Sequence, residues 1–261
     1  MLRFAIVTDT HLGHEDSQTP AQNWERAALE LKDSTATFVL HLGDIVDRAR
    51  EEQYAVHRDI RNLIGKPVCE IPGNHDPEDL FRKHIREVID TYFDHADVRF
   101  VLFSNADPKS HDGFISDAQL EWLGKTLHEA DQEDLPIMIC SHVPIHENVA
   151  PDRAWYVKPE HGQTKFYQLV DEYRSRIVAL LHGHCHSGMR GWDDRTPINE
   201  ICCPSAFLNR DLNLAENNAP GYNLPEFRPG YLLAELTATT LELQYKPISK
   251  EVAATRKIQL T

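Results

Sequence analysis

The sequence predicts an α/β protein built on a largely central sheet. Three observations carry that reading: short apolar runs rich in Val, Ile and Phe alternate with stretches of helical period, Gly and Pro punctuate the joints, and the pattern turns all-β beyond residue 188. The first run, Leu2–Val7, reads as a strand. Thr19 and Pro20 then make an N-cap and first-turn pair for a helix to about Lys32, with Trp24, Ala27, Ala28 and Leu31 on one face. Phe38–Leu42 is a second strand, running into Gly43 and Asp44. A helix over Glu51–Ile64 follows, stopped by Gly65 and Pro67, and Val68–Ile71 is the third strand.

After Pro77 the spacing predicts a helix to about Asp90, then a strand at Val98–Phe103. Ser116 and Gln119 form a capping box for a helix carrying Leu120, Leu123 and Leu127. Pro136–Cys140 and Ile177–Leu181 are two more strands, separated by a helix near Phe166–Tyr173. Ile198–Cys202, Tyr231–Leu236 and Leu241–Tyr245 are expected as strands of a second sheet, with an Asn-rich loop over 208–229 between them. There is no internal repeat and no linker, so residues 1–261 are expected to form a single domain.

Bulk composition narrows the function. With 41% hydrophobic and 26% charged residues the chain belongs among folded proteins rather than disordered ones. A net charge of −14 repels polyanions and argues against an extended nucleic-acid surface or attachment to an anionic membrane. The start, Met1-Leu2-Arg3 and then the Phe4–Val7 run, lacks the pattern of a signal peptide, and no stretch has the apolar length of a membrane span. Cysteines at 69, 140, 185, 202 and 203 are odd in number and sit mostly in apolar contexts, the usage of reduced thiols, so a cytoplasmic protein is expected.

The chemistry collects where strands end, the place open α/β sheets use for function. Strand one ends in Asp9-Thr10-His11, strand two in Gly43-Asp44 with Asp47 beyond, and strand three in Gly73-Asn74-His75-Asp76. The Pro136–Cys140 strand ends in Ser141-His142, and the next in Gly183-His184-Cys185-His186. Any one of these alone reads as a turn former or a core histidine. Five strand ends carrying oxygen and nitrogen donors together do not, because buried charges are costly unless paired or coordinated.

Taken in order, Asp9-x-His11, Gly43-Asp44-x-x-Asp47, Gly73-Asn74-His75-Asp76, His142 and Gly183-His184-x-His186 resemble the motif set of the calcineurin-like metallophosphoesterases. The layout, including the Gly113–Trp122 stretch, is most similar to the class III cyclic nucleotide phosphodiesterases. The resemblance implies a four-layer α/β/β/α sandwich with two central mixed sheets flanked by helices. It also implies two metal ions, one held by Asp9, His11 and His186, the other by Asn74, His142 and His184, with Asp44 bridging. The mixed imidazole and oxygen set suits Mn, Fe or Zn better than Mg or Ca. Two such ions, about 3.5–4 Å apart, supply a hydroxide in line with phosphorus and neutralise the phosphoryl oxygens. In the family's pattern His75 then protonates the leaving group, and Asp76 is expected to fix the His75 tautomer. For Asp47 a turn-forming role is the alternative to a part in the site.

The expected activity is hydrolysis of a small nucleotide or organic phosphodiester. A phosphomonoesterase or protein phosphatase on the same metal core is the alternative, and the lack of an additional Arg within the motifs favours diesters. A nuclease fits the charge poorly, and a non-catalytic binding module fits the intact motifs poorly. Among other residues, His57, His84, His95 and His128 are expected on solvated helix surfaces, and His182, Cys185, Trp24 and Trp122 in packing roles. His14 and His146 are candidates for substrate contact. Arg153, Trp155 and Tyr156 are expected in a packed loop that could alternatively meet a base or phosphate. Segment 216–231 is a candidate lid or dimer contact, and the oligomeric state is not readable from the sequence.

Overall fold

A computed structural model describes residues 1–147, 154–188, 192–193, 197–210 and 227–260. Strand β1 (Leu2–Val7) is followed by helix α1 (Thr19–Asp33), β2 (Val39–His41), α2 (Glu51–Leu63), β3 (Val68–Glu70) and α3 (Glu78–His84). A hairpin of β4 (Thr91–His95) and β5 (Val98–Leu102) leads to α4 (Asp117–Gln132), β6 (Ile137–Cys140), α5 (Gln163–Glu172) and β7 (Ile177–His182). The remaining strands are β8 (Trp192–Asp193), β9 (Glu200–Cys202), β10 (Gly230–Leu236), β11 (Thr240–Pro247) and β12 (Ala254–Gln259).

The strands form two mixed six-stranded sheets, ordered β12-β11-β10-β1-β2-β3 and β4-β5-β6-β7-β9-β8. Their alternation explains the layering. In β1, Phe4 and Ile6 enter a core shared with Phe100, Met138 and Leu181 of the other sheet, while Ala5 and Val7 face Trp24, Ala28 and Leu31 of α1. In the second sheet Val101, Ile139 and Leu180 face Leu123, Leu127 and Phe166 of α4 and α5. Both faces of both sheets are therefore covered, which gives helices, sheet, sheet and helices in turn.

Several elements differ from the sequence expectation. The C-terminal strands do not make up a separate second sheet: β10 pairs antiparallel with β1, so β10–β12 complete the first sheet, and only β8 and β9 join the second. The helix after Pro77 stops at His84 rather than running to Asp90. Asp90 instead accepts hydrogen bonds from Ser104 N and from Gln119 Nε2 at the cap of α4. The aromatic Thr91–His95 segment pairs with β5 through a two-residue turn, Ala96-Asp97, both at positive φ, a hairpin without the usual glycine signal. Strand β12 carries Arg256 and Lys257, charges typical of a sheet edge that also mask its alternation. Thr19 is the first residue of α1 rather than its cap, and Ser17 Oγ accepts its N–H. The Ser116–Gln119 capping box forms as expected. No helix among the described residues is long and apolar enough to cross a membrane.

Candidate metal centre

Strands β1, β2 and β3 run parallel, as do β5, β6, β7 and β9, so the loops at their carboxyl ends can meet over the seam between the sheets. These loops bring together Asp9, His11, Asp44 and His186, with one donor atom from each within 4.8 Å of the others, and likewise Asp44, His142 and His184. Asp44 belongs to both groups. The backbone that delivers them is strained: Asp9, His11, Asp44, His184 and His186 all have positive φ, five of the eleven such non-glycine residues described. L-residues in that region cost of order 1 kcal/mol or more and persist where surrounding structure enforces them. Gly43 makes the approach possible, since a Cβ there would lie 2.7 Å from His142 Nδ1.

The hydrogen bonds show which face of each imidazole is available. His11 Nδ1 lies 3.2 Å from Asp47 Oδ1, and His142 Nδ1–H donates to Leu42 O at 2.6 Å. His184 Nε2–H donates to His111 O at 2.9 Å, and His186 Nδ1–H to Leu208 O at 2.8 Å. Each ring thus uses one nitrogen outward, which fixes its tautomer and turns the other nitrogen inward as a lone pair. His11 Nε2 and His186 Nε2 face each other at 3.1 Å, beside Asp9 Oδ1 and Asp44 Oδ2. His142 Nε2 lies 3.3 Å from Asp44 Oδ2 without hydrogen-bond geometry, and both it and Asn74 Oδ1 are buried without a hydrogen-bond partner. Facing lone pairs and carboxylates in a buried space demand cationic charge, and the donor set fits divalent transition metals.

The ionisation tendencies record the same field. Burial opposes charging Asp9 and Asp44, but the nearby His186 and His142 outweigh it and hold both carboxyls below their usual range. Burial likewise opposes a proton on His142, yet Asp44 and then Asp9 hold its ionisation up at about 9. At His11 and His184 burial wins and both are held below the ordinary value.

The structure reassigns the roles of two acids. His75 Nδ1–H donates to the carbonyl of Asp47 at 2.8 Å, so the backbone at Asp47, not Asp76, fixes its tautomer. The Asp76 carboxylate turns into the loop, where it accepts Ile45 N, Val46 N, Gly73 N and Tyr54 Oη–H. Burial and then the charge of Asp44 push its ionisation up to about 6, and those donors resist the shift. Asp76 therefore braces two ligand loops and does not contact the His75 ring as expected. Of the two roles open to Asp47, the structure shows the one in the site: its Oδ1 lies 3.2 Å from His11 Nδ1 and 3.0 Å from His14 Nδ1.

Other expectations resolve as follows. His57 is buried, not solvated: its Nε2 meets Glu70 in a cluster with Arg61. His84 stacks on Tyr54 and is only 14% exposed at its side chain, whereas His95 and His128 are exposed as expected, although His95 lies on β4 and not on a helix. Trp24, His182 and Cys185 are buried and Trp122 packs against the outer core of the second sheet. His14 reaches the pocket; His146 is held by its backbone N–H on Glu200. Trp155 lines the pocket, and Lys158 Nζ sits 3.6 Å over the Tyr156 ring. Arg153 and residues 216–226 lie outside the described residues.

A pocket of about 210 Å³ opens over the cluster, lined by His11, His14, Asp44, Asn74, His75 and His184, and also by His111, Trp155, Phe207, Leu208 and Arg210. A larger cavity of about 710 Å³ lies at the far ends of β6 and β7 and contains none of these donors. Sequence reasoning missed His111, Phe207, Leu208 and Arg210, which fall outside the motifs, and it gave Trp155 a ligand contact only as the alternative to a packed loop. It also missed Asn105, whose side chain clamps the His142 loop by accepting His142 N and Val143 N and donating to Val143 O. Asn105 closely follows β5, as the other functional residues follow their strands, and that position is the signal that could have found it.

Comparison with known proteins agrees with this geometry. The family described as calcineurin-like phosphoesterase matches residues 2–188. A protein of Arcobacter nitrofigilis named as a probable glycerophosphodiester phosphodiesterase GpdQ is 25% identical over 158 residues, 57% of this chain and 56% of that protein. A Fibrobacter succinogenes protein named as a probable cyclic nucleotide phosphodiesterase is 27% identical over 255 residues, 89% of this chain and 92% of the relative. Among solved structures, a dimetal phosphatase from Danio rerio superposes with a TM-score of 0.74 at 15% identity, over 100% of this chain and 99% of that one, a likeness of fold.

Proposed function

The chain belongs to the calcineurin-like phosphoesterase family and is a metal-dependent phosphoric ester hydrolase, and from that premise we propose that it cleaves a small nucleotide or organic phosphodiester at a binuclear centre. The observation that carries the reading is the convergence of inward ring nitrogens with Asp9, Asp44 and Asn74 Oδ1 on one buried space. In this reading Asp9, His11 and His186 hold one ion, Asn74, His142 and His184 hold the other, and Asp44 serves both. Divalent Mn, Fe or Zn held there would activate water and neutralise phosphoryl charge.

The chain's own groups account for the rest. His75 is tied through Nδ1–H to Asp47 O, so Nε2 is the atom that exchanges a proton with substrate. As the P–O bond breaks, a proton on Nε2 passes to the departing oxygen and the ring is left neutral. The backbone N–H of His75 donates to Asp44 Oδ1 at 3.0 Å, which keeps the base of the side chain in register with the ligand loop. Asp47 sets the orientation of His11, and Asn105 that of the His142 loop. Relatives named as phosphodiesterases and the small pocket support a small diester. Arg210 at the pocket lining supports the second reading, a monoesterase, because a guanidinium suits a dianionic phosphate.

Metal-stripped protein assayed with an aryl phosphodiester and the matching monoester, before and after addition of Mn, Fe or Zn, separates these readings. Restored turnover with the diester preferred is the expected result. Monoester preference replaces the diesterase reading with the second, and no turnover with any of the three metals rejects the catalytic proposal.

A further inference from the structure

The pocket over the cluster has an ionic floor and aromatic walls, and hydrolysis alone does not use the walls. On the His184 side, the rings of His111 and Trp155 stack with centroids 4.3 Å apart and planes 18° apart, and Trp155 lies 5.5 Å from the His184 ring. On the His11 side, Phe207 lies 4.7 Å from His14 and 6.0 Å from His11. Leu208 beside it is 41% exposed. Aromatic and aliphatic groups brought to the mouth of an ionic pocket are an unusual use of surface unless a ligand covers them.

Both walls hang from the ligand loops. The carbonyl of His111 accepts His184 Nε2–H, so the residue that stacks on Trp155 also orients a candidate metal ligand. Across the pocket, Ser205 Oγ–H donates to Asp9 O while accepting Phe207 N and Leu208 N, and Leu208 O accepts His186 Nδ1–H. The aromatic groups are thereby set at a fixed relation to the reacting centre, which is the condition for recognising a rigid ligand without a large ordering cost.

We infer that Trp155 backed by His111, with Phe207 opposite, forms a slot for a flat aromatic substituent, so that phosphoesters carrying a nucleobase are selected over those carrying only a sugar or alkyl group. The inference rests on the phosphoesterase reading and names the substrate feature that reading leaves open. Every base has a stackable face, so the slot recognises aromaticity and flatness before it recognises sequence-specific edges.

The test measures binding to Mn-loaded protein, separately from turnover, with adenosine monophosphate and ribose 5-phosphate as probes that differ only in the base. Wild type is expected to bind the nucleotide roughly tenfold or more tighter, the scale of one base–aromatic stack. Trp155→Ala should remove that advantage by weakening the nucleotide alone, Phe207→Ala should reduce it, and Trp155→Phe should retain it. Unchanged ribose 5-phosphate affinity and metal content in each variant verify an intact site, and Phe207→Ala stands in where Trp155→Ala fails to fold. Equal binding of both probes by wild type, or an advantage that survives both alanine variants, overturns the slot. Selective nucleotide binding without hydrolysis of any phosphoester upholds the slot while rejecting the catalytic reading; hydrolysis without base preference does the reverse.

Discussion

Two buried clusters of ionisable groups lie on either side of the ligand-bearing loops, and they are balanced differently. In one, between the first sheet and helices α1 and α2, Glu70 accepts from His57 Nε2 and from Arg61 at 2.6 Å, and His41 Nε2 meets Thr10 Oγ1 at 3.1 Å. Its unpartnered nitrogens mix a donor, Trp24 Nε1–H, with His41 Nδ1 and His57 Nδ1. In the other, the rings of His11, His142, His184 and His186 all turn their N–H groups outward, and lone pairs and carboxylates face one space. The first carboxylate meets donors of its own, the Arg61 guanidinium among them, and among the described residues only the second cluster and its edge bring metal-ligating atoms together. Burial and charge alone do not separate a metal site from a structural ion pair; the direction of the imidazole N–H groups does.

The strongest way to break that comparison is to remove the acid common to both metal groups. Asp44→Asn should lose bound metal, read by elemental analysis, and with it turnover by roughly 10³-fold or more, since Lewis-acid stabilisation is worth several kcal/mol. Full metal content with retained turnover in this variant would show that Asp44 is not the ligand common to both groups.

The second prediction sharpens the division of labour within the metal cluster. His75→Ala should lower kcat by about 10²- to 10⁴-fold, the usual share of a general acid, with metal content unchanged. Asp76→Asn, by contrast, should act through the loop braced by Ile45, Val46 and Gly73, lowering stability more than it alters the pH dependence of turnover. A normal pH–rate profile in His75→Ala with unchanged kcat would remove His75 from the chemistry.

A smaller effect is expected one bond further out. Asp47→Ala frees the His11 ring and should weaken metal affinity by about 10- to 100-fold, the range typical of lost outer partners, so that excess Mn restores turnover. Loss that Mn cannot restore would instead make Asp47 part of the reacting centre.

These distinctions mark where the sequence is legible. That Asp9, His11, Asp44, Asn74, His142, His184 and His186 gather at one place was readable because strand ends and residue chemistry are both written locally. The division between Asp47 and Asp76 was not, since both lie a few residues beyond a ligand and only the loop's path turns one towards His11 and the other into backbone donors. His111, Trp155 and Phe207 come from loops far apart in the chain, and nothing local marks them as lining one pocket. His57 looked like a polar helix position because its partner, Glu70, lies on a strand that packs against that face. The strands beyond residue 188 were visible as strands, but their sheet was not, because β10 pairs with β1 across the whole length of the chain.

The structural cluster supplies the converse test, a variant that should spare chemistry and alter stability. Burial opposes ionisation of Glu70, but His57 and then Arg61 outweigh it and lower the carboxyl's ionisation below its ordinary value. A carboxyl lowered on folding stabilises the native state above its unfolded value, about 4.3, and that contribution fades as pH falls through the folded value. Glu70→Gln should therefore leave metal content and kcat near wild type yet cost about 3 kcal/mol in a urea titration at pH 7, the scale of a broken buried pair. The difference between the two proteins should shrink as the buffer is taken below about pH 4. A difference that stays constant with pH would mean that Glu70 acts through packing alone, and a loss of metal in this variant would erase the boundary between the two clusters.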